Sequence, residues 1–114
     1  MKGMLKIPQP TKIYIAGPMT GLPDDNKPAF YAMEEKLKAM GYEVVNPARL
    51  TDEALKITPH MTRKDFYRQD FHALTECDGI MMIKGWVHSH GARFERQLAL
   101  EIGCQIFYEE EHEI

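Results

Sequence analysis

Gly79 to Ile83 (GIMMI) contains no polar side chain, so a strand here has no face that can meet water. Such a strand must be covered on both sides, and the usual solution is a parallel sheet with helices above and below it. The rest of the chain supplies the parts. Lys12 to Gly17 (KIYIAG) is a short β-branched and aromatic run stopped by Gly17-Pro18, and Tyr42 to Asn46 (YEVVN) is a second strand ended by Pro47. Cys104 to Tyr108 (CQIFY) is a fourth. Between the first two strands a helix starts near Pro28. Phe30, Met33, Leu37 and Met40 form its apolar stripe and Gly41 its C′ residue. Ala48 to Met61 reads as irregular or partly helical. Thr62 opens a further helix, T-R-K-D, with Asp65 in the place of the capping-box Glu or Gln, running to about Cys77. The last helix spans about Gly91 to Ile102 and stops at Gly103.

This alternation predicts an α/β three-layer sandwich, flavodoxin- or Rossmann-like, around a mostly parallel sheet of four to five strands. In such sheets ligands bind outside the carboxyl ends of the strands. Gly17, Pro18, Met19, Thr20 and Gly21 follow the first strand there. The loop from Lys84 to Gly91, which holds Trp86, the only tryptophan, follows the third.

Composition limits the partners. At 114 residues the chain is expected to be one domain, 1–114, with a core over 12–108 and an acidic tail over 109–114. Hydrophobic residues at 44% and charged residues at 27% exclude a disordered chain. No apolar run approaches the ~20 residues of a membrane span, and the start, MKGMLKIPQP, lacks a signal-peptide core, so no membrane is expected as partner. Cys77 and Cys104 form neither a CxxC pair nor a disulfide framework, which suits a reducing cytoplasm. The net charge is −3, yet the tail from Glu109 holds four of the seventeen acids and no Lys or Arg. The remainder is nearly neutral and has no basic stripe for a nucleic-acid polymer. A small molecule remains as the expected partner.

Two acids then stand out. At about 100° per residue, Asp70 lies about 40° from Phe66 and Leu74 about 80°, so Asp70 sits inside an apolar arc. On the next helix Glu95 falls between Ile102 and Ala99, again on the apolar side. An ionised carboxylate against apolar surface costs several kcal/mol unless it is paired or hydrogen-bonded, about as expected for either a structural ion pair or a reactive group. Two on adjacent elements favour the reactive reading. Glu95, read as lying in the first turn of its helix, is expected to stay charged beside free N–H groups. Asp70, two turns in and ~12 Å along the helix from Thr62, is expected to be raised by desolvation. A charged carboxylate beside a protonated one is the division that glycosyl transfer uses. The simpler assignments cover the rest: His88-x-His90 lacks a third metal ligand at fixed spacing, so no metal is expected; Cys77 is core filling; and Asp78 is a turn residue.

Three segments together resemble the nucleoside 2-deoxyribosyltransferase-like superfamily, which includes the 2′-deoxynucleoside 5′-phosphate N-hydrolases. They are Tyr14-Ile-Ala-Gly-Pro-Met-Thr-Gly21, Asp70-Phe-His-Ala-Leu-Thr-Glu-Cys-Asp78 and Ser89-His-Gly-Ala-Arg-Phe-Glu95. The short form is similar to an uncharacterised branch seen in phage and prophage genomes. The resemblance implies cleavage, by hydrolysis or base transfer, of the N-glycosidic bond of a 2′-deoxyribonucleoside or its 5′-monophosphate. It makes Glu95 the nucleophile, Asp70 the acid that assists the leaving base, and Tyr14 the group that holds the nucleophile or sugar. Ser89 matches the residue that meets the 5′-phosphate. The loop residues Gly17 to Gly21, with Trp86, Gly91 and Arg93, are the other expected substrate contacts. Arg93 stands where the family often has a second glycine, and would replace positive charge missing from the first loop. No cofactor is required, because attack and protonation both come from side chains. The family's habit of completing sites across subunits implies a homodimer or higher oligomer. The alternative is a nucleotide-binding or sequestering module that uses the same cleft without chemistry.

Overall fold

The computed structural model describes residues 11–110; residues 1–10 and 111–114, and with them most of the expected acidic tail, lie outside the described residues. Four strands, β1 (Lys12–Ala16), β2 (Glu43–Val45), β3 (Gly79–Met82) and β4 (Gln105–Tyr108), form one sheet in the order β2-β1-β3-β4. Every pairing is parallel, with Tyr14 beside both Val45 and Ile80, and Met82 beside Tyr108. The helices are α1 (Lys27–Ala39), α2 (Pro47–Ile57), α3 (Arg63–Thr75) and α4 (His90–Glu101). The α/β architecture expected from the sequence is the one observed.

Strand alternation divides the core in two. Ile13 and Ile15 of β1 join Met81, Ile83 and Phe107 on one face, under Phe30, Met33 and Leu37 of α1 and Ala48 of α2. Tyr14 and Ala16 join Ile80 and Met82 on the other, under Leu74 of α3 and Ala92 and Ala99 of α4. GIMM of β3 is buried throughout because both layers rest on it.

Local chemistry sets the ends. Thr62 Oγ1 accepts from the Asp65 amide while the Asp65 carboxylate accepts from the Thr62 amide, a complete capping box. Gly41 and Gly103 follow α1 and α4 at φ of +95° and +85°, the left-handed stop that glycine adopts without strain. The stretch read as irregular contains α2. The Asn46 side chain caps it by accepting from the Ala48 amide and Pro47 occupies its first turn; these start signals and the amphipathic pattern of α2 were present in the sequence, although α2 buries only Pro47 and Ala48. Helix α3 stops at Thr75, which leaves Cys77 in the turn to β3 rather than on the helix. There it is buried, and burial pushes its thiol up to about 12, so it remains an unreactive core group at neutral pH.

Gly17 is where the sheet hands over to the first loop. A Cβ there would lie 2.2 Å from Ile83 Cγ1, and Ile83 is itself buried with no room to withdraw. Gly17→Ala is therefore expected to lower stability by about 1–3 kcal/mol, measured by urea unfolding, through overpacking at the β1–β3 junction.

Candidate functional site

In a sheet of order 2-1-3-4 the chain winds away in opposite directions from β1 and β3, which opens a crevice between the loops that follow them. A cavity of about 710 Å³ occupies this position. The first loop supplies Gly17, Pro18, Met19 and Thr20, and the second supplies His88, Ser89, His90 and Gly91. Helix α3 contributes Arg63, Phe66, Tyr67 and Asp70, one to two turns apart along a single face. Glu95 of α4 completes the wall.

The stripe on α3 thus has a different use from the one its apolarity suggests. Leu74 is its only buried residue, while Phe66 and Tyr67 are half-buried and face the cavity. This accounts for Asp70, which sits ~12 Å along the helix from its start: the cavity runs down between α3 and the sheet to reach it.

Tyr14, Glu95 and Asp70 converge. Tyr14 is fully buried on β1, on the face that carries α3 and α4, and its hydroxyl donates to Glu95 Oε2. Burial, with the charge of Glu95 next, holds the phenol well above its ordinary range, so it stays a donor. Glu95 is 8% exposed. Burial pushes its carboxyl up to about 8, against the Tyr14 hydrogen bond, which favours the anion; the charge of Asp70 raises it further. Asp70 is half-buried, and loss of water lifts it to about 6, opposed by a 3.4 Å contact from the Gln69 amide.

The expectation of a charged Glu95 is corrected by this geometry. Helix α4 begins at His90, one residue earlier than the sequence suggested, so Glu95 is its sixth residue. Free N–H groups and the dipole act within the first turn, and Glu95 lies past it. Desolvation therefore wins, and both carboxyls of the pair are raised.

A third buried acid provides the contrast. Glu34 of α1 is 2% exposed, yet its carboxyl lies at about 2. Burial is the largest single influence and raises it. Hydrogen bonds from Arg49, Lys38 and Asn46 together outweigh that. Lys38 Nζ is at 2.7 Å and Arg49 Nη2 at 3.0 Å. No Lys or Arg is paired with Glu95 or Asp70 among the described residues. Glu34 is held as a structural anion, whereas the cavity pair is kept short of counter-charge, the condition for proton exchange near neutral pH.

Of the other expected substrate contacts, Gly17, Pro18, Met19, Thr20, Ser89 and Gly91 line the cavity. Ser89 Oγ caps α4 by accepting from the Ala92 amide at 3.2 Å, which leaves its own hydroxyl hydrogen free to donate. A Cβ on Gly91 would meet nothing within 4 Å, so its lack of a side chain keeps the backbone open to a ligand. Gly21 does not line the cavity; it turns the loop at φ +86°. Trp86 and Arg93 are not brought to Glu95. They line a separate hollow on the other side of α4, because Arg93 is two residues, or about 200°, from Glu95 on the helix. The cation at the cavity is instead Arg63, which nothing in the residue order singles out beyond its place one turn before Phe66 and Tyr67. His88 and His90 line the cavity too, and no group of three or more His, Cys, Asp or Glu among the described residues is arranged to hold a metal. No helix among them is long and apolar enough to cross a membrane.

Among solved structures, the fold is similar to that of the CMP N-glycosidase BcmB of Clostridium botulinum. The TM-score is 0.60 at 20% sequence identity, over 90% of this chain and 74% of that one. No curated protein matches the chain. Residues 11–108, from just before β1 to the end of β4, match the family described as Domain of unknown function (DUF4406), and the chain belongs to that family.

Proposed function

We propose that the protein cleaves the N-glycosidic bond of a 2′-deoxyribonucleoside or its 5′-monophosphate, with Glu95 as nucleophile and Asp70 as acid and base. The observation that carries this reading is the juxtaposition of two raised, cation-free carboxyls with a buried tyrosine donor in one cavity. The likeness in fold to a CMP N-glycosidase, and the resemblance of the three segments to deoxyribosyltransferases and N-hydrolases, support it.

In the reactive form the pair's one proton sits on Asp70, the minority arrangement because Glu95 is the more strongly raised of the two, and a Glu95 carboxylate oxygen held by Tyr14 attacks C1′ of the sugar. The C1′–N bond breaks, its electron pair passes to the base, and Asp70 delivers the proton that makes the base neutral. The product is a glycosyl ester on Glu95. Asp70, now a carboxylate, takes a proton from water as that water attacks C1′, and the ester C1′–O bond breaks to restore Glu95. A second base in place of water gives transfer. Tyr14 orients Glu95 and stabilises its charge when it leaves as a carboxylate.

Ser89 and the open backbone at Gly91 suit a 5′-phosphate, since both line the cavity at the start of α4, where a helix offers N–H donors and the Ser89 hydroxyl hydrogen is not used by its cap. Phe66 and Tyr67 offer aromatic surface for the base beside Asp70. The match of Ser89 to the serine of the monophosphate hydrolases favours a nucleotide substrate and hydrolysis. The lining of the cavity assigns Arg63 the charge that Arg93 had been expected to bring.

Incubation with the four deoxynucleoside monophosphates and with CMP, followed by chromatography for free base, tests the reading. Binding of the same nucleotides is measured separately by calorimetry. Base release supports it; binding without release leaves the module that holds a nucleotide without chemistry. In an active protein, Asp70→Asn is expected to slow release by about 10²–10⁴-fold, and least for substrates whose base leaves readily without protonation.

A further inference from the structure

The hollow across α4 from the catalytic cavity is a site in its own right. Its volume is about 740 Å³, and Trp86, His90, Arg93, Phe94 and Arg96 form its walls. No acid lines it among the described residues.

Arg96 is held in place before any ligand arrives. Its Nε donates to the Tyr108 hydroxyl at 2.9 Å, and its guanidinium lies 5.3 Å from the Trp86 ring centre and 5.8 Å from that of Tyr108. Those rings pack on each other at 5.7 Å. Fixed in this way, Arg96 keeps its two terminal nitrogens without a hydrogen-bond partner among the described residues. The Arg93 side chain has no hydrogen bond or ion pair with any of them. Trp86 packs behind Arg96: it is 8% exposed, and its indole N–H is buried with no acceptor among the described residues. Such an orphaned donor ordinarily costs about 1–3 kcal/mol, which makes it uncommon. Beside these donors stands Phe94, a large aromatic side chain left 58% exposed.

A guanidinium whose planar fork is pre-organised binds phosphate and carboxylate with little loss of freedom, and an exposed ring beside it takes flat apolar surface. We infer that this hollow binds an oxyanion, a phosphomonoester or carboxylate, carried on an aromatic body. Arg93 and Arg96 hold the anion and Phe94 covers the ring. His90 lines both this hollow and the catalytic cavity, so the two sites share one wall. The inference does not depend on catalysis at Glu95.

Trp86 is the only tryptophan, so the one indole N–H signal in a ¹H–¹⁵N spectrum reports this hollow directly. The probes are phenyl phosphate, benzoate and inorganic phosphate, none of which has an N-glycosidic bond. Phenyl phosphate or benzoate is expected to move the indole signal saturably, and inorganic phosphate to bind more weakly because it lacks the ring. The stronger of the two ring probes identifies the favoured anion. Arg93→Ala and Arg96→Lys are each expected to weaken the preferred probe at least tenfold, while Arg63→Ala, in the other cavity, changes it less than twofold. Arg93 makes no contact whose loss would unfold the protein, and the dispersed amide spectrum verifies the fold of each variant. No saturable shift from either ring probe overturns the inference. So does wild-type affinity in both variants, or loss of binding in Arg63→Ala. An indole shift that follows protein concentration instead, with a dimer in sedimentation, overturns it in favour of a contact between copies of the chain.

Discussion

Replacing Glu95 with glutamine is expected to cut base release by at least about 10³-fold, because the amide keeps the shape but cannot form the glycosyl ester. The same substitution is expected to stabilise the protein at alkaline pH. Glu95 has a folded-state value of about 8 against an ordinary 4.5, so the folded chain binds a proton that the unfolded chain has lost. Its contribution is fully present below about 4.5 and is lost as pH rises through about 8, to the extent of roughly 3–5 kcal/mol. Glutamine cannot ionise, and its carbonyl still accepts from Tyr14. Urea unfolding at pH 5 and pH 9 checks this: the wild type should weaken between them and Glu95→Gln should weaken much less. Equal pH dependence in both proteins would show that Glu95 is solvated. Activity has its own signature. The pair carries about one proton between pH 6 and 8, and the reaction needs one carboxylate and one acid, so kcat/KM should rise to a maximum near neutrality and fall on either side.

Glu34→Ala is expected to have the largest effect on stability outside the cavity, a loss of about 3 kcal/mol with the fold otherwise retained. Glu34 Oε1 accepts from Asn46 Nδ2 at 3.1 Å and from Arg49, and Oε2 meets Lys38, so one carboxylate joins α1 to the start of α2. Arg49 and Lys38 are about half exposed and can return to water, which limits their share. Asn46 is buried, and its amide would lose an acceptor while still capping α2. The pH dependence has the opposite sign to that of Glu95. Glu34 is held at about 2 against an ordinary 4.5, so its stabilisation is present above 4.5 and disappears as pH falls toward 2. Acid unfolding of Glu34→Ala should therefore be shallower than that of the wild type over this range.

Much of this was legible from residue order. The GIMM strand required cover on both faces, the T-R-K-D signal fixed the start of α3, and Gly41 and Gly103 marked the ends of α1 and α4. Wheel arithmetic placed Asp70 and Glu95 on inward faces. The same arithmetic separates Arg93 from Glu95, a distinction that a motif read as a line conceals. Helix α2 was readable from its amphipathic pattern and its Asn46-Pro47 start and was missed; for Glu34 only the i,i+4 partner Lys38 is local, whereas Arg49 and the Asn46 amide are brought to it by packing.

The order of apolar and polar residues determined the layers, because burial is a local requirement that each strand and helix meets or fails by its own periodicity. Tertiary structure decided which buried acid is a tied anion and which holds a proton. That depends on how many donors and cations end up within reach of a carboxyl, and on how much water is excluded there. Sequence spacing carries neither quantity. For the same reason the apolar face of α3 was readable, but only folding made it the wall of a cavity instead of part of the core.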